Sequence, residues 1–281
     1  MSKQLSQNIA FALLWLCGLI AVAALLVIIG YTVYQGIPNL NWEFFSTDPE
    51  LGQSGGGGIK PFLISTAWTI GLVIVFLIPA GILAGIYMSE YAPPNKLTSF
   101  IRYCIDTLAG MPSIVVGVFG FIVLVVMLGF QMSILSGALT LAILLMPYMI
   151  RITEEAIRMV PQNTRAASLA LGASKWQTVS RVVLPAALAG ILTSVILCIA
   201  RAFGETAPLL LTMGGYSGAP TSPMDGGRVL AMHIYISTVE YARYDIAFAT
   251  ATVLLVIILV FSIITNVFST YSRKKLGISR Y

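Results

Sequence analysis

Arg201 and Glu205 stand four residues apart in the stretch Ile199 to Thr212, I-A-R-A-F-G-E-T-A-P-L-L-L-T. They lie near the middle of an apolar run that begins after Pro185 and ends near Met213. About 20 apolar residues rising ~1.5 Å each cross the hydrocarbon of a bilayer, so this run is long enough to span it. A charge at that depth costs roughly 2.5–3.5 kcal/mol on insertion scales and is usually turned to a cavity or a partner. The spacing of four places both charges on one helical face. Steps of three and four extend that face to Ser194, Cys198, Pro208 and Thr212, with Val195, Ile196, Ile199, Ala202 and Phe203 opposite. A fixed guanidinium offers a forked donor that suits a tetrahedral oxyanion. Arg201, Glu205 and the adjoining Thr206 are therefore candidates to line the path of an anion. Against this stands the plainer reading that the two charges only pair and lock one helix to a neighbour.

Two further stretches carry polar chemistry. Arg102 and Asp106, again four apart, read as a local ion pair at the start of a third apolar run. That run continues L-A-G-M-P-S-I-V-V-G-V-F-G from Leu108 to Gly120. Gly, Pro and Ser early in a membrane helix free backbone groups, which only protein or a wet cavity can satisfy. Pro112 and Ser113 are thus either a structural kink or substrate contacts of the kind broken helices supply. The second stretch, Arg151 to Pro185, is the one long polar connection on its side. Pro161 should end the preceding helix, Thr164 can cap a short new one from Arg165 to Leu171, and Gly172 then lets the chain turn. Ala166, Ala167 and Ala170 are small, whereas Leu169, Leu171 and Trp176 are exposed knobs awaiting a partner's groove or the membrane surface.

The elements that must position these residues are membrane helices. The chain is 58% hydrophobic and only 10% charged, a balance foreign to soluble domains. Six spans are expected, near 9–34, 61–89, 99–129, 133–151, 186–213 and 246–270. The first is too long for a signal-peptide core and reads as a retained anchor. With the N-terminus inside, twelve of the 16 Lys and Arg fall on the inner side, three outside and Arg201 within the membrane. The positive-inside rule therefore makes both termini cytoplasmic, and the net charge of +5 reflects topology rather than nucleic-acid binding. We divide the chain into 1–60, an N-terminal helix with an outer Gly-rich segment, and 61–281, a five-helix core with a cytoplasmic loop at 152–185. Gly55 to Gly58 match no phosphate-binding loop and read as a flexible lead-in to the second helix. In that helix Pro79 should kink the chain, and Gly81 with Gly85 should admit a close neighbour. The outer segment Gly214 to Asp245 reads as the largest external surface, suited to docking, with His233 as a surface or packing residue. Cys17, Cys104 and Cys198 show no paired spacing, which argues against a disulfide or a metal site.

At Arg165 to Pro185 the loop resembles the coupling motif of ABC importer permeases, E-A-A-x-x-x-G followed by a leucine-proline pair. Gly172 matches the glycine, Ala173 follows it, and Val183-Leu184-Pro185 closes the pattern; Ala166, Ala167 and Ser168 occupy the E-A-A positions, so the glutamate is absent. Three other stretches are similar to permeases of the phosphate-specific importer: Gly57-Gly58-Ile59 with Pro61, Leu108 to Val115 with Gly117 and Phe119, and Arg201 to Pro208, the last resembling the PstA type rather than its PstC-type partner. The resemblance runs from about residue 55 to the last span. It implies an all-α, polytopic membrane protein with six transmembrane helices and the ABC type I importer permease fold, in the bacterial cytoplasmic (inner) membrane. It implies as partners a PstC-type permease, two PstB-type ATPase subunits and a PstS-type phosphate-binding protein. ATP and Mg would belong to the ATPase, with no cofactor in this chain and no catalytic residues of its own. Ala166, Ala167, Leu169, Leu171, Gly172, Ala173 and Trp176 would then form the ATPase-coupling surface, and Arg201, Glu205, Ser113, Pro112 and Thr206 the substrate path. The alternatives are a permease for another oxyanion (sulfate or molybdate) or an anion carrier that works without ATP. A membrane-embedded enzyme is disfavoured because no metal-protease motif, catalytic carboxylate pair or base-activated nucleophile is legible.

Overall fold

A computed structural model describes residues 3–49 and 57–275. Five of its helices are long and apolar enough to cross a membrane, six if one sharply bent pair counts as a single crossing. The first, α1 (Lys3–Gly36), leaves its apolar side chains exposed for most of its length. Near its C-terminal end it meets α12. There the Tyr31 ring stands edge-on to Phe248 at 5.6 Å, and Thr252 Oγ1 donates to the Thr32 carbonyl at 3.2 Å. A short turn at Ile37–Asn39 leads to α2 (Trp42–Ser46), capped by Asn41, whose Oδ1 accepts from the Phe44 amide at 2.7 Å. The lead-in that follows is not slack where it is described. A Cβ on Gly58 would lie 2.2 Å from the Thr47 carbonyl oxygen, so Gly58 serves close approach rather than flexibility; Gly55 and Gly56 lie outside the described residues.

The bundle is built on α3 (Lys60–Ile86, closing in a π turn at Tyr87–Tyr91), α6 (Ile134–Arg158) and α9 (Leu184–Gly204). Lipid gives these helices little hydrophobic reason to associate, so close van der Waals packing has to hold them, and small residues permit it. A Cβ on Gly81 would fall 2.4 Å from Met149 Cγ, one on Gly85 2.7 Å from Thr153, and one on Gly190 2.4 Å from Ala156. The expected close approach at Gly81 and Gly85 is thus present, and α3 runs through Pro79 without a break. Phe62, Leu77, Leu141, Leu145, Met149, Leu209 and Met213 fill the centre.

The third expected span is not one helix. The chain forms α4 (Lys96–Ala109), turns by 103° through Gly110–Pro112, and continues as α5 (Ser113–Gly120) with a π-helical extension at Phe121–Met127. Pro112 lacks an amide donor and pushes the residue before it out of the helical region, so the break falls where the Gly-Pro-Ser cluster stands. The fifth expected span, 186–213, is also two elements and starts earlier. A helix runs from α8 (Lys175–Thr178) through a π turn at Val179–Val183 into α9, and α10 (Ala207–Met213) follows a gap at Glu205–Thr206. Pro208 cannot donate to the Gly204 carbonyl, the bond that would have carried α9 onward.

Between α6 and α8, α7 (Gln162–Ala170) begins at Pro161 with no side-chain cap, so Thr164 does not start it. Gly172 turns the chain at φ +83° as expected, and Ser174 with Gln177 forms a reciprocal cap on α8. The segment after α10 is less open than its Gly, Pro and Ser content suggested. It folds back as α11 (Leu230–Val239), whose His233 is buried and stacked on Phe62 with ring centroids 4.1 Å apart. Arg228 is buried beside them and donates twice to the Gly215 carbonyl, at 2.9 and 3.0 Å. Burial, reinforced by Arg228, pushes the His233 pKa down from 6.5 to about 3, so its imidazole is neutral at ordinary pH. The last described element is α12 (Tyr244–Lys275), which packs on α1, α9 and α11.

Candidate functional site

The two broken spans bring their gaps to one place. Arg201 occupies the last turn of α9, where exposed carbonyls favour a cation. Its Nε donates to Glu205 Oε1 at 3.2 Å, and its guanidinium lies 4.2 Å from the centroid of the Tyr148 ring on α6. Tyr148 in turn donates through its hydroxyl to the Ala109 carbonyl at the end of α4. One tyrosine therefore links the lip of the α4–α5 gap to the lip of the α9–α10 gap. Gly117 of α5 also sits against Pro208 of α10, where a Cβ would meet the Pro208 Cα at 2.7 Å.

The Arg201 side chain keeps 40% of its surface exposed and Glu205 only 13%, so the cation is presented while its carboxylate is tucked behind it. The remainder of the expected polar stripe does not face outward. Ser194, Cys198, Pro208 and Thr212 are buried, with Ser194 Oγ bonded to the Ile191 carbonyl and Thr212 Oγ1 to the Pro208 carbonyl. The continuous stripe was drawn on one helix, and the break at Glu205 ends it. Ile199, Ala202 and Phe203 on the other face are buried too, which makes that face a packing surface rather than a lipid surface. Ser113, half-buried, opens α5, and Pro112 precedes it at the lip of its gap; Thr206, half-buried, precedes α10. These three residues share the two gaps with Arg201 and Glu205.

Arg102 and Asp106 do not pair with each other. Arg102 reaches Glu154 at 3.0 Å and the Met88 carbonyl at 2.9 Å, and Asp106 meets Arg151 at 2.5 Å. Glu154 also holds Arg158 at 2.7 Å. α4 is thereby fastened to α6 about one to two turns from Tyr148, around a charged cavity of about 350 Å³ lined by Arg102, Asp106, Arg151, Glu154, Glu155 and Arg158. Tyr148, Arg151 and Glu154 were not legible as a group. Their partners come from another helix, so no i, i+4 spacing announces them.

The other candidate surface is the α7 loop. Leu171 is 90% exposed, Leu169 and Trp176 are exposed, and Ala166, Ala167 and Gly172 lie beside them with Ala173 half-buried. Large apolar side chains exposed together on a polar loop make a patch of the kind that marks interaction sites.

Residues 78–278 match the family described as binding-protein-dependent transport system inner membrane component. The chain is 36% identical to a Bacillus subtilis (strain 168) protein described as "Probable ABC transporter permease protein YqgI", over 98% of this chain and 99% of that one. It is 34% identical to the phosphate transport system permease protein PstA of Xylella fastidiosa (strain Temecula1 / ATCC 700964), over 82% of this chain and 81% of the other. Among solved structures it resembles a chain of a bacterial alginate ABC transporter in complex with an alginate-bound periplasmic protein. That match has a TM-score of 0.66 at 14% identity and covers 99% of this chain and 100% of that one. A chain of the MetNI methionine ABC transporter aligns with a TM-score of 0.59 at 17% identity, over 76% of this chain and 95% of that one.

Proposed function

Because the chain belongs to the family of binding-protein-dependent transport system inner membrane components, as a permease component of an ABC importer, we propose that it passes inorganic phosphate inward across the cytoplasmic membrane. The observation that carries this reading is the half-exposed Arg201, held between Glu205 and Tyr148 where two membrane helices are interrupted. The interruption matters because helix gaps inside a membrane persist only where protein or water satisfies them. Phosphate arriving at the gaps meets a forked donor already oriented by a ring and a carboxylate. It displaces Glu205 from the guanidinium, and Glu205 displaces it again on exit. An exchange of one anion for another keeps the site from holding its substrate too tightly, as conduction requires.

Both termini and the α7 loop lie on the cytoplasmic side in this reading, in accord with the basic residues gathered there. In this reading nucleotide hydrolysis is supplied by a partner. ATP and Mg act on PstB-type ATPase subunits that seat on Leu169, Leu171 and Trp176, while a PstC-type permease and a PstS-type binding protein complete the complex. Purifying the chain from its native membrane should bring down an ATPase and a second permease. Labelled-phosphate uptake by that complex should then be blocked by excess arsenate, a near-isostere, and not by sulfate. Uptake that sulfate suppresses equally would reassign the substrate to another oxyanion, and uptake without ATP would make the protein an independent carrier.

A further inference from the structure

The α7 loop is joined to the bundle chiefly through one arginine. No apolar residue of α7 is buried, so the helix has no apolar seat on the bundle. Beside it lies a cavity of about 870 Å³, lined in part by Ser89, Glu90, Arg165, Leu169, Lys175 and Thr178. Across that space Arg165 sends a guanidinium that ties three elements at once. Its Nε and Nη2 donate to Glu90 Oε1 at 3.1 and 2.6 Å, Nη2 also donates to the Ile157 carbonyl at 2.9 Å, and Nη1 to the Val160 carbonyl at 2.5 Å. Glu90 belongs to the π turn that closes α3, whereas Ile157 lies in the last turn of α6 and Val160 just beyond it. Only 11% of the arginine side chain and 9% of the glutamate remain exposed. Two weaker ties run parallel to it: Ser168 Oγ lies 2.9 Å from Thr178 Oγ1, and Lys175 Nζ stands 5.0 Å from the centroid of the Tyr91 ring.

We infer that Arg165 is the positioning residue through which movement of α7 reaches α3 and α6, with Glu90 as its fixed point in the bundle. This rests on the reading of the α7 loop as the ATPase-coupling joint. A helix packed on a core would pass a push to many neighbours in small shares. A helix without a packed face passes it through its strong, directional contacts, and the covered four-bond guanidinium is the strongest that α7 has. From there the route is short. Arg158 and Tyr148 lie on the same rigid helix, about 15 Å apart, so displacement of the α6 end shifts the ring against which Arg201 rests. The π turn holding Glu90 is a wider, less regular coil of a kind found at functional sites, and it gives α3 a place to rewind.

The test uses the whole complex in vesicles, comparing Arg165→Met, Glu90→Gln and the two together by phosphate moved per ATP hydrolysed and by thermal unfolding. Each single change leaves a buried charge unpaired and lowers stability, whereas the paired change removes both charges and regains it. Transmission needs the tie itself. Phosphate moved per ATP should therefore fall about tenfold in all three variants, with the ATPase still bound and hydrolysing. Recovery of that ratio along with stability in the paired variant would reduce the tie to scaffolding and overturn the inference. So would a wild-type ratio in the single variants, or loss of the ATPase from the paired one. A wild-type complex that moves no phosphate would instead strike the functional reading beneath it.

Discussion

Three side chains carry the chemistry proposed at the smallest scale, and each has a distinct role. Arg201 supplies the charge and the fork, Glu205 neutralises it at rest, and Tyr148 orients it through the ring face. Replacing Glu205 by Gln removes the competing anion. That variant should bind phosphate more tightly and release it more slowly, so that uptake falls while phosphate protection of the complex against heat rises; a fall in both would deny Glu205 the part of a competitor. Tyr148→Phe keeps the ring beneath the guanidinium and loses only the hydroxyl bond to Ala109. It should transport within about threefold of wild type, whereas Tyr148→Leu, which also loses a cation–π contact of about 0.5–2 kcal/mol, should do clearly worse in the same assay. His233 offers a test independent of transport. Its pKa is depressed by folding, so the neutral imidazole contributes stability that is fully present above about pH 6.5 and is lost as pH falls toward about 3. Thermal unfolding in detergent should show that acid-side decline, and His233→Phe should flatten it; an unchanged slope would place the sensitivity elsewhere.

Among the helices, most of the architecture was legible because a membrane crossing announces itself by length and hydropathy. Spans one, two, four and six lie where the apolar runs put them, and the glycine pair of α3 marks its contact with α6. The interruptions were legible only in part. Gly110, Met111, Pro112 and Ser113 signal a broken helix plainly, but a 103° turn that sets α4 aside as a separate element depends on Arg102 and Asp106 finding Glu154 and Arg151 across the bundle. The α9–α10 gap was missed because the charge spacing favoured a continuous helix, although Gly204 and Pro208 carried the signal to the contrary. The gaps can be tested by filling their contact. Gly117→Ala would drive a methyl to 2.7 Å from the Pro208 Cα and part α5 from α10. Overpacking of this sort costs about 1–3 kcal/mol, and uptake should drop more than the unfolding temperature does. Equal tolerance in both measurements would show that the register of the two gaps is unimportant.

As a whole, the molecule separates the two things an importer subunit must do. In the proposed reading the anion site sits where the broken helices meet inside the bundle, and the partner surface stands off on the α7 loop, where Leu169 and Leu171 are exposed. The exposure of Leu169, Leu171, Gly172 and Trp176 on that surface could be read from the chain, since they are sequence neighbours on a polar loop. Its attachment could not, because Glu90 lies 75 positions before Arg165. Leu171→Asp should leave the chain folded and reduce ATPase binding or coupling, as measured by hydrolysis in the reconstituted complex; normal coupling would remove α7 from the joint. The central claim remains the guanidinium at the gaps. Its most direct test is labelled-phosphate uptake by complexes carrying Arg201→Lys, with assembly checked by copurification of the ATPase. The account predicts an assembled complex whose uptake is reduced roughly 10- to 100-fold, the scale of a lost charge-assisted bond of about 1.5–3 kcal/mol. Near-normal uptake by the lysine variant would contradict it, leaving Arg201 and Glu205 as a pair that only holds the helices together.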